Sequence, residues 1–168
     1  MMILTKLNNF LAKASYLVGI IIVAIMVMAL SLSAITRYVS GTGYDWLIEL
    51  PPVLICWLVF PLLGPLLRQG NHIQVDFLTS IISTKQAKYL KIMMNLTAFI
   101  ASLIFFTAGM EATILYFNLG QMMELEIDIP IWWMYLSFPV GFIILALFSL
   151  ELTTQSILDL NHNKAKDA

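Results

Sequence analysis

The amino-acid sequence predicts an all-α fold: an integral membrane bundle of four transmembrane helices, with the N- and C-termini both on the cytoplasmic side. Three observations carry this. Of the 168 residues, 60% are hydrophobic and only 11% are charged, whereas an average soluble domain carries about a quarter charged residues. The apolar residues gather in four long runs, and the basic residues gather at one set of their ends. A water-soluble fold of this length could not hide so much apolar surface, because its surface-to-volume ratio forces much of the chain outward. A bilayer removes that difficulty.

A helix needs roughly 20 mostly apolar residues to cross the hydrocarbon core. Residues 14–36 supply 23 without a charge, 50–67 supply 18, 92–110 supply 19 and 129–150 supply 22. With their flanking turns, the spans are expected over 14–36, 46–67, 84–118 and 129–152, in a single transmembrane domain, 1–160, followed by a polar cytoplasmic tail, 161–168. Each must be helical, since only a helix satisfies every backbone N–H and C=O within the segment where no water is at hand. The first run follows Lys6 and Lys13, as a signal peptide would. It exceeds the ~7–15-residue apolar region of such peptides and lacks a clean A-x-A site, so a retained helix is predicted.

Direction follows from the positive-inside rule. Lys6, Lys13, Arg68, Lys85, Lys88, Lys91, Lys164 and Lys166 all fall on one side, and Arg37 alone falls on the other. The loop between spans three and four holds Glu124, Glu126 and Asp128 and no base. That acidic loop is predicted to face outward.

Several boundaries can be read locally. Asp45 suits the cap of a helix starting at Trp46, after the turn residues Gly41 and Gly43. Pro51 and Pro52 fit near its first turn, whereas Pro61 and Pro65 should kink it. Ser83-x-x-Gln86 matches a capping box for span three. Before it, Val75, Leu78 and Ile82 form a stripe expected to lie as a short amphipathic interfacial segment between helices two and three. Asp128-Ile-Pro130 reads as a cap followed by Pro in the first turn of span four, and Trp132, Trp133 and Tyr135 follow as an aromatic belt. The tail from Asn161 is polar and expected to fray.

Ionisable groups inside the bilayer usually mark an ion or substrate path. The charge-free cores of spans one, two and four have none, and span three has Asn95 and Thr97 near its inner end and Glu111 toward its outer third. Glu111 reads either as a snorkelling residue near the interface or as a proton-coupling carboxylate, which would need a second intramembrane partner. His72 and His162 lie outside the spans, which leaves no paired ligands for a haem, and lone Cys56 excludes an internal disulfide and a cysteine metal cluster. No Ser–His–Asp set is present, and the His72/Asp76 pair suits a surface hydrogen bond better than a metal. The net charge of −1 offers no basic field for nucleic acid. No enzyme chemistry and no cofactor are expected.

A series of fragments then falls at matching ends of the four spans. Arg37-Tyr38 and Gly41 close the first, Trp46-x-x-Glu49 opens the second, and Trp57 and Gly64 lie within it. Arg68-x-Gly70-x-His72-Ile-x-Val-Asp76 follows, then Gly109, Gln121, Ile129-Pro130-x-Trp132-x-x-Tyr135 and Phe138-Pro139-Val-Gly141. In their order and spacing they resemble the small membrane subunit of tripartite ATP-independent periplasmic (TRAP) transporters, over about residues 37–141. Pro51-Pro52 after Glu49 and the acidic 124–128 stretch depart from that pattern.

The resemblance implies a bacterial inner-membrane, multi-pass protein that forms a heterodimer with a large membrane transport subunit and serves a periplasmic substrate-binding protein. It also implies secondary uptake of an organic acid, such as sialic acid or a C4-dicarboxylate, driven by an ion gradient, commonly sodium. The large subunit would hold the substrate and ion sites while this chain anchors the fixed scaffold. On that reading Tyr44, Asp45, Glu124, Glu126 and Asp128 are candidates for docking the binding protein, beside the plainer reading of a solvated acidic loop. Arg37, Trp46, Glu49, Trp57, Gly64 and Gly109 are candidates for structural and large-subunit packing, with packing inside this bundle or lipid contact as the alternative. Arg37 and Glu49 are expected to pair, or else to stand apart in solvent. Arg68, His72 and Asp76 are placed at the inner boundary, held by local hydrogen bonds and lipid phosphate. The competing function is a self-sufficient four-helix carrier working as a homodimer through Glu111.

Overall fold

A computed structural model describes residues 2–69 and 84–166. The described residues form α1 (Met2–Ser40), α2 (Trp46–Gln69), α3 (Thr84–Leu119), the short α4 (Ile131–Tyr135) and α5 (Ser137–Lys166). Four stretches, Ile3–Ser40, Trp46–Gln69, Tyr89–Leu119 and Ile131–Leu158, are long and apolar enough to cross a membrane. They coincide with the four apolar runs. His72, Asp76, the 75–82 stripe and Ser83 of the capping box lie outside the described residues.

The helices stand in an open row. α1 packs on α2, α2 on α5, and α5 on α3, while α4 bridges the α2 and α3 ends. α1 also reaches α5 at the end that carries the termini, where Asn8 meets Glu151. Neighbour contacts set the directions. Gly19 of α1 lies against Leu58 and Leu62, and Gly109 of α3 lies against Phe138 and Pro139. α2 and α5 run parallel, since Gly141 meets Phe60 and Gly64 meets Ile144 and Phe148.

The α2–α5 seam is close, and glycine makes it so. A Cβ on Gly141 would sit 2.5 Å from the carbonyl carbon and oxygen of Phe60. One on Gly64 would sit 2.7 Å from the Phe148 ring and 3.2 Å from the Ile144 carbonyl oxygen. Helices in lipid gain little from hydrophobicity, so close backbone approach supplies the attraction. Phe148 and Leu47, 0% and 2% exposed, are bulky side chains enclosed along α2 and α5.

α2 runs through all four of its prolines without a break. Pro51 and Pro52 fall in its second turn rather than its first, because the helix begins at Trp46. The last span divides at Leu136, between α4 and α5. Pro139 has no N–H to offer the Tyr135 carbonyl, and the Ser137 hydroxyl donates to the Met134 carbonyl at 2.7 Å beside the gap. Pro130 is the residue preceding α4, with φ −66° and ψ 135° and no side-chain cap. It therefore lies just outside the first turn, and Asp128 does not cap it. At the far end, α5 continues to Lys166, past the point at Asn161 where the polarity of the tail suggests fraying.

α1 and α3 each end on a glycine in the left-handed region, Gly41 at φ +69° and Gly120 at φ +59°. Gly41 N–H closes on the Arg37 carbonyl at 3.1 Å, an ending that a side chain with Cβ would strain. Hydroxyls inside the spans donate to carbonyls of their own helix: Ser102 to Phe99, Thr113 to Gly109 and Ser149 to Ala146. Hydrocarbon supplies no other acceptor.

Gly141→Ala is expected to be the most damaging single-methyl addition, costing about 1–3 kcal/mol by overpacking, with Gly64→Ala next. Gly109→Ala, where the nearest contacts are 3.1–3.3 Å, should cost less. Thermal unfolding in mild detergent gives the order, and an unchanged midpoint for Gly141→Ala would contradict the seam.

Candidate functional site

Two clusters of polar side chains lie at opposite ends of the row. The first joins the acidic loop to the start of α2. The loop folds as a narrow excursion: Met122 bridges Pro130, Met123 N–H donates to the Ile129 carbonyl at 2.9 Å, and Ile131 N–H donates to the Gln121 carbonyl at 3.1 Å. Leu125, Ile127 and Ile129 turn toward Trp46 and Leu50 and line a narrow cleft with them. Two carboxylates then lock the loop in place. Glu49 accepts the Glu126 N–H at 2.9 Å, and Glu126 accepts the Trp46 N–H at 2.9 Å. The orphan donor at the α2 N-terminus is thus satisfied from 80 residues away in sequence.

That arrangement reassigns three expected partners. Asp45 precedes α2 but its carboxylate does not cap it; the helix-start donors Ile48 and Glu49 go to the Asp45 backbone carbonyl. The Asp45 side chain faces Arg37, N to O 3.5 Å, with both side chains more than half exposed. Arg37 therefore pairs with Asp45 and not with Glu49, because Glu49 is engaged by the loop backbone. Its side chain lies across Gly43, where a Cβ would come within 2.6 Å of Nε. An exposed pair of this kind contributes little to stability. Tyr44, Asp45, Glu124, Glu126 and Asp128 are all exposed on this end of the molecule.

Aromatic rings close the same end. Trp57 donates its indole N–H to the Trp133 carbonyl at 3.1 Å, and the two rings lie 5.4 Å apart. Tyr116 stacks on Tyr135 at 4.5 Å, and Phe117 meets Trp132 edge-on at 5.6 Å. Trp57, like Gly64 and Gly109, makes its contact within this chain.

The second cluster sits where the termini lie, and its central residue escapes a reading of the apolar runs. Glu151 falls one residue past the last charge-free stretch and is 0% exposed. Asn8, also 0% exposed, donates from Nδ2 to Glu151 at 2.7 Å and to the Leu147 carbonyl at 3.1 Å. Gln155 donates to the other Glu151 oxygen at 3.2 Å. Beside it, Arg68 donates to the Asn9 carboxamide oxygen at 2.5 Å, tying the α2 exit to α1. Asn95 approaches the Ser156 hydroxyl at 3.5 Å. Arg68, expected to be held by local hydrogen bonds and lipid phosphate, thus contacts another helix. The visible signal was an asparagine pair, Asn8-Asn9, one turn from Lys6 and far from any turn motif.

Glu111 is absent from both clusters. It is exposed on α3 and has no hydrogen bond or ion pair among the described residues. Among those residues, no group of three or more His, Cys, Asp or Glu side chains could hold a metal ion. A groove between α1 and α2 of about 640 Å³ is open and apolar, lined by Gly19, Ile20, Val23, Leu58 and Leu62 with Tyr16. It offers an acidic solute no cation.

Two outcomes follow. Glu49→Ala should speed amide hydrogen exchange at Glu126, and Glu126→Ala should speed it at Trp46, each costing about 1 kcal/mol as a lost cap; protection unchanged at both amides would remove the latch. Asn8→Leu, which strips a buried carboxylate of its donor, should cost about 1–3 kcal/mol, whereas Glu151→Gln keeps an oxygen for Asn8 and should cost less. Equal losses in thermal unfolding would contradict that assignment.

A search of curated proteins found no match to this chain. The family model described as "Tripartite ATP-independent periplasmic transporters, DctQ component" matches residues 26–158. That stretch covers all of α2 to α4, most of α5 and the second part of α1. Members are components of transporters and not enzymes, and membership implies association with a large membrane subunit and a binding protein. With four helices able to span a bilayer, the protein is a multi-pass component of the bacterial inner membrane. The chain belongs to the DctQ family, the small membrane component of TRAP transporters.

Proposed function

We propose that this chain is the fixed scaffold of a system that takes up an organic acid, such as sialic acid or a C4-dicarboxylate, on an ion gradient, in the first instance sodium. One observation carries the reading. Among the described residues the one buried carboxylate, Glu151, is held by Asn8 and Gln155, and the buried side-chain atoms left without a partner, Asn8 Oδ1 and Tyr16 Oη, are uncharged. A single carboxylate already held by two donors, with no second titratable group beside it among the described residues, offers little with which to couple an ion gradient. The substrate and coupling ion then belong to the large subunit, and this chain supplies a rigid surface on which that subunit works.

The end bearing Lys6, Lys13, Arg68 and Lys91 faces the cytoplasm, by the positive-inside rule. The latched loop then faces the periplasm, where Tyr44, Asp45, Glu124, Glu126 and Asp128 form an exposed acidic rim. That rim suits a basic patch on the solute-loaded binding protein, and such complementarity acts chiefly on encounter rate. The latch gives the rim a fixed shape.

Vesicles holding the large subunit with this chain should accumulate solute from the loaded binding protein, and vesicles holding the large subunit alone should not. Equal uptake by both preparations would overturn the scaffold reading. Changing Asp45, Glu124 and Asp128 to their amides, with Glu126 kept for the latch, should slow uptake several-fold at low salt and abolish its salt dependence. Unaltered, salt-sensitive uptake would remove the docking role.

A further inference from the structure

The exposed side of α3 carries a pattern that internal packing does not use. Thr97, Ile104, Glu111 and Asn118 recur at seven-residue intervals and all are exposed. Seven residues fall only about 20° short of two full helical turns, so the four form a nearly straight stripe along the helix. Ile100, Thr107 and Ile114, also exposed, flank it at the alternate spacing of a heptad seam. Thr97, Glu111 and Asn118 make no hydrogen bond among the described residues. α3 stands at one edge of the row and is the least buried of the four spans.

Glu111 is also the one exposed carboxylate in the four candidate spans, among the described residues. It lies five residues before Tyr116, whose ring belongs to the aromatic belt, which puts it roughly 7.5 Å deeper at 1.5 Å per residue. Lipid chains offer neither a donor nor a cation there. The outward faces of α1 and α5 carry apolar side chains such as Ile21 and Ile143, 49% and 48% exposed.

We propose that this stripe of α3 is the docking face for a membrane-spanning helix of the large subunit, one that presents a cation or a hydrogen-bond donor opposite Glu111. The inference rests on the scaffold reading above and adds to it the face that is used. A second copy of this chain does not fit as occupant. Two copies inserted in the same direction and related by a twofold axis would set Glu111 against Glu111, and two carboxylates at close range repel. A heterologous helix with the opposite charge or a donor removes that cost and satisfies Thr97 and Asn118 along the same seam.

The test places a photoreactive side chain at Ile104 or Thr107 in the intact complex in native membranes, with Ile21 and Ile143 as controls. Adducts to the large subunit from Ile104 and Thr107, and not from Ile21, are expected. Adducts only to lipid or to a second copy, while the large subunit still co-purifies with the unmodified chain, overturn this face and leave the scaffold reading standing. Failure of the large subunit to co-purify at all overturns both. In parallel, Glu111→Leu should lower the recovered complex about tenfold, the scale of one lost interhelical hydrogen bond in a membrane, and Glu111→Gln should largely retain it. Recovery with Glu111→Leu equal to that of the native chain also overturns the proposal.

Discussion

Hydrocarbon contains no hydrogen-bonding partner, so every polar atom of a spanning segment must find one inside the protein or in a neighbour. Most of this structure follows from that constraint. Backbone groups are satisfied by helix formation, and hydroxyls such as those of Thr113 and Ser149 turn back to their own carbonyls. Where a carboxylate is buried, a carboxamide from a distant helix is brought to it, as Asn8 is to Glu151. The paired polar groups thereby become internal fasteners.

The fasteners work together with the glycine seam. Gly64 and Gly141 let α2 and α5 approach until side chain meets backbone, which fixes the centre of the row. Asn8–Glu151 and Arg68–Asn9 then hold one end, and Glu49 and Glu126 hold the other. A row fixed at its centre and both ends is a stiff element. It leaves α1 and α3 as the outer flanks, and only the α3 flank carries an exposed carboxylate.

The spans were legible in the sequence because a transmembrane helix is a bulk property of about 20 consecutive residues. The family was legible because its fragments sit at span ends, where turns and aromatic belts restrict residue choice. The partners of the charges were not. Local pattern assigns Asp45 to the α2 cap, yet Glu126 takes part of that role from a loop 80 residues away, which also frees Asp45 for Arg37. Glu151 was hidden by its position: one residue beyond an apolar run reads as a boundary, and only packing shows Asn8 closing over it. Likewise Gly109 was visible as a small residue, but which helix it admits depends on the row order that no single segment encodes.

The central claim is that energy conversion takes place in another polypeptide, and reconstitution of this chain alone tests it most directly. Vesicles containing only this protein, given an imposed sodium gradient, binding protein and labelled organic acid, should accumulate no more solute than protein-free vesicles. Gradient-dependent accumulation above that background would contradict the account.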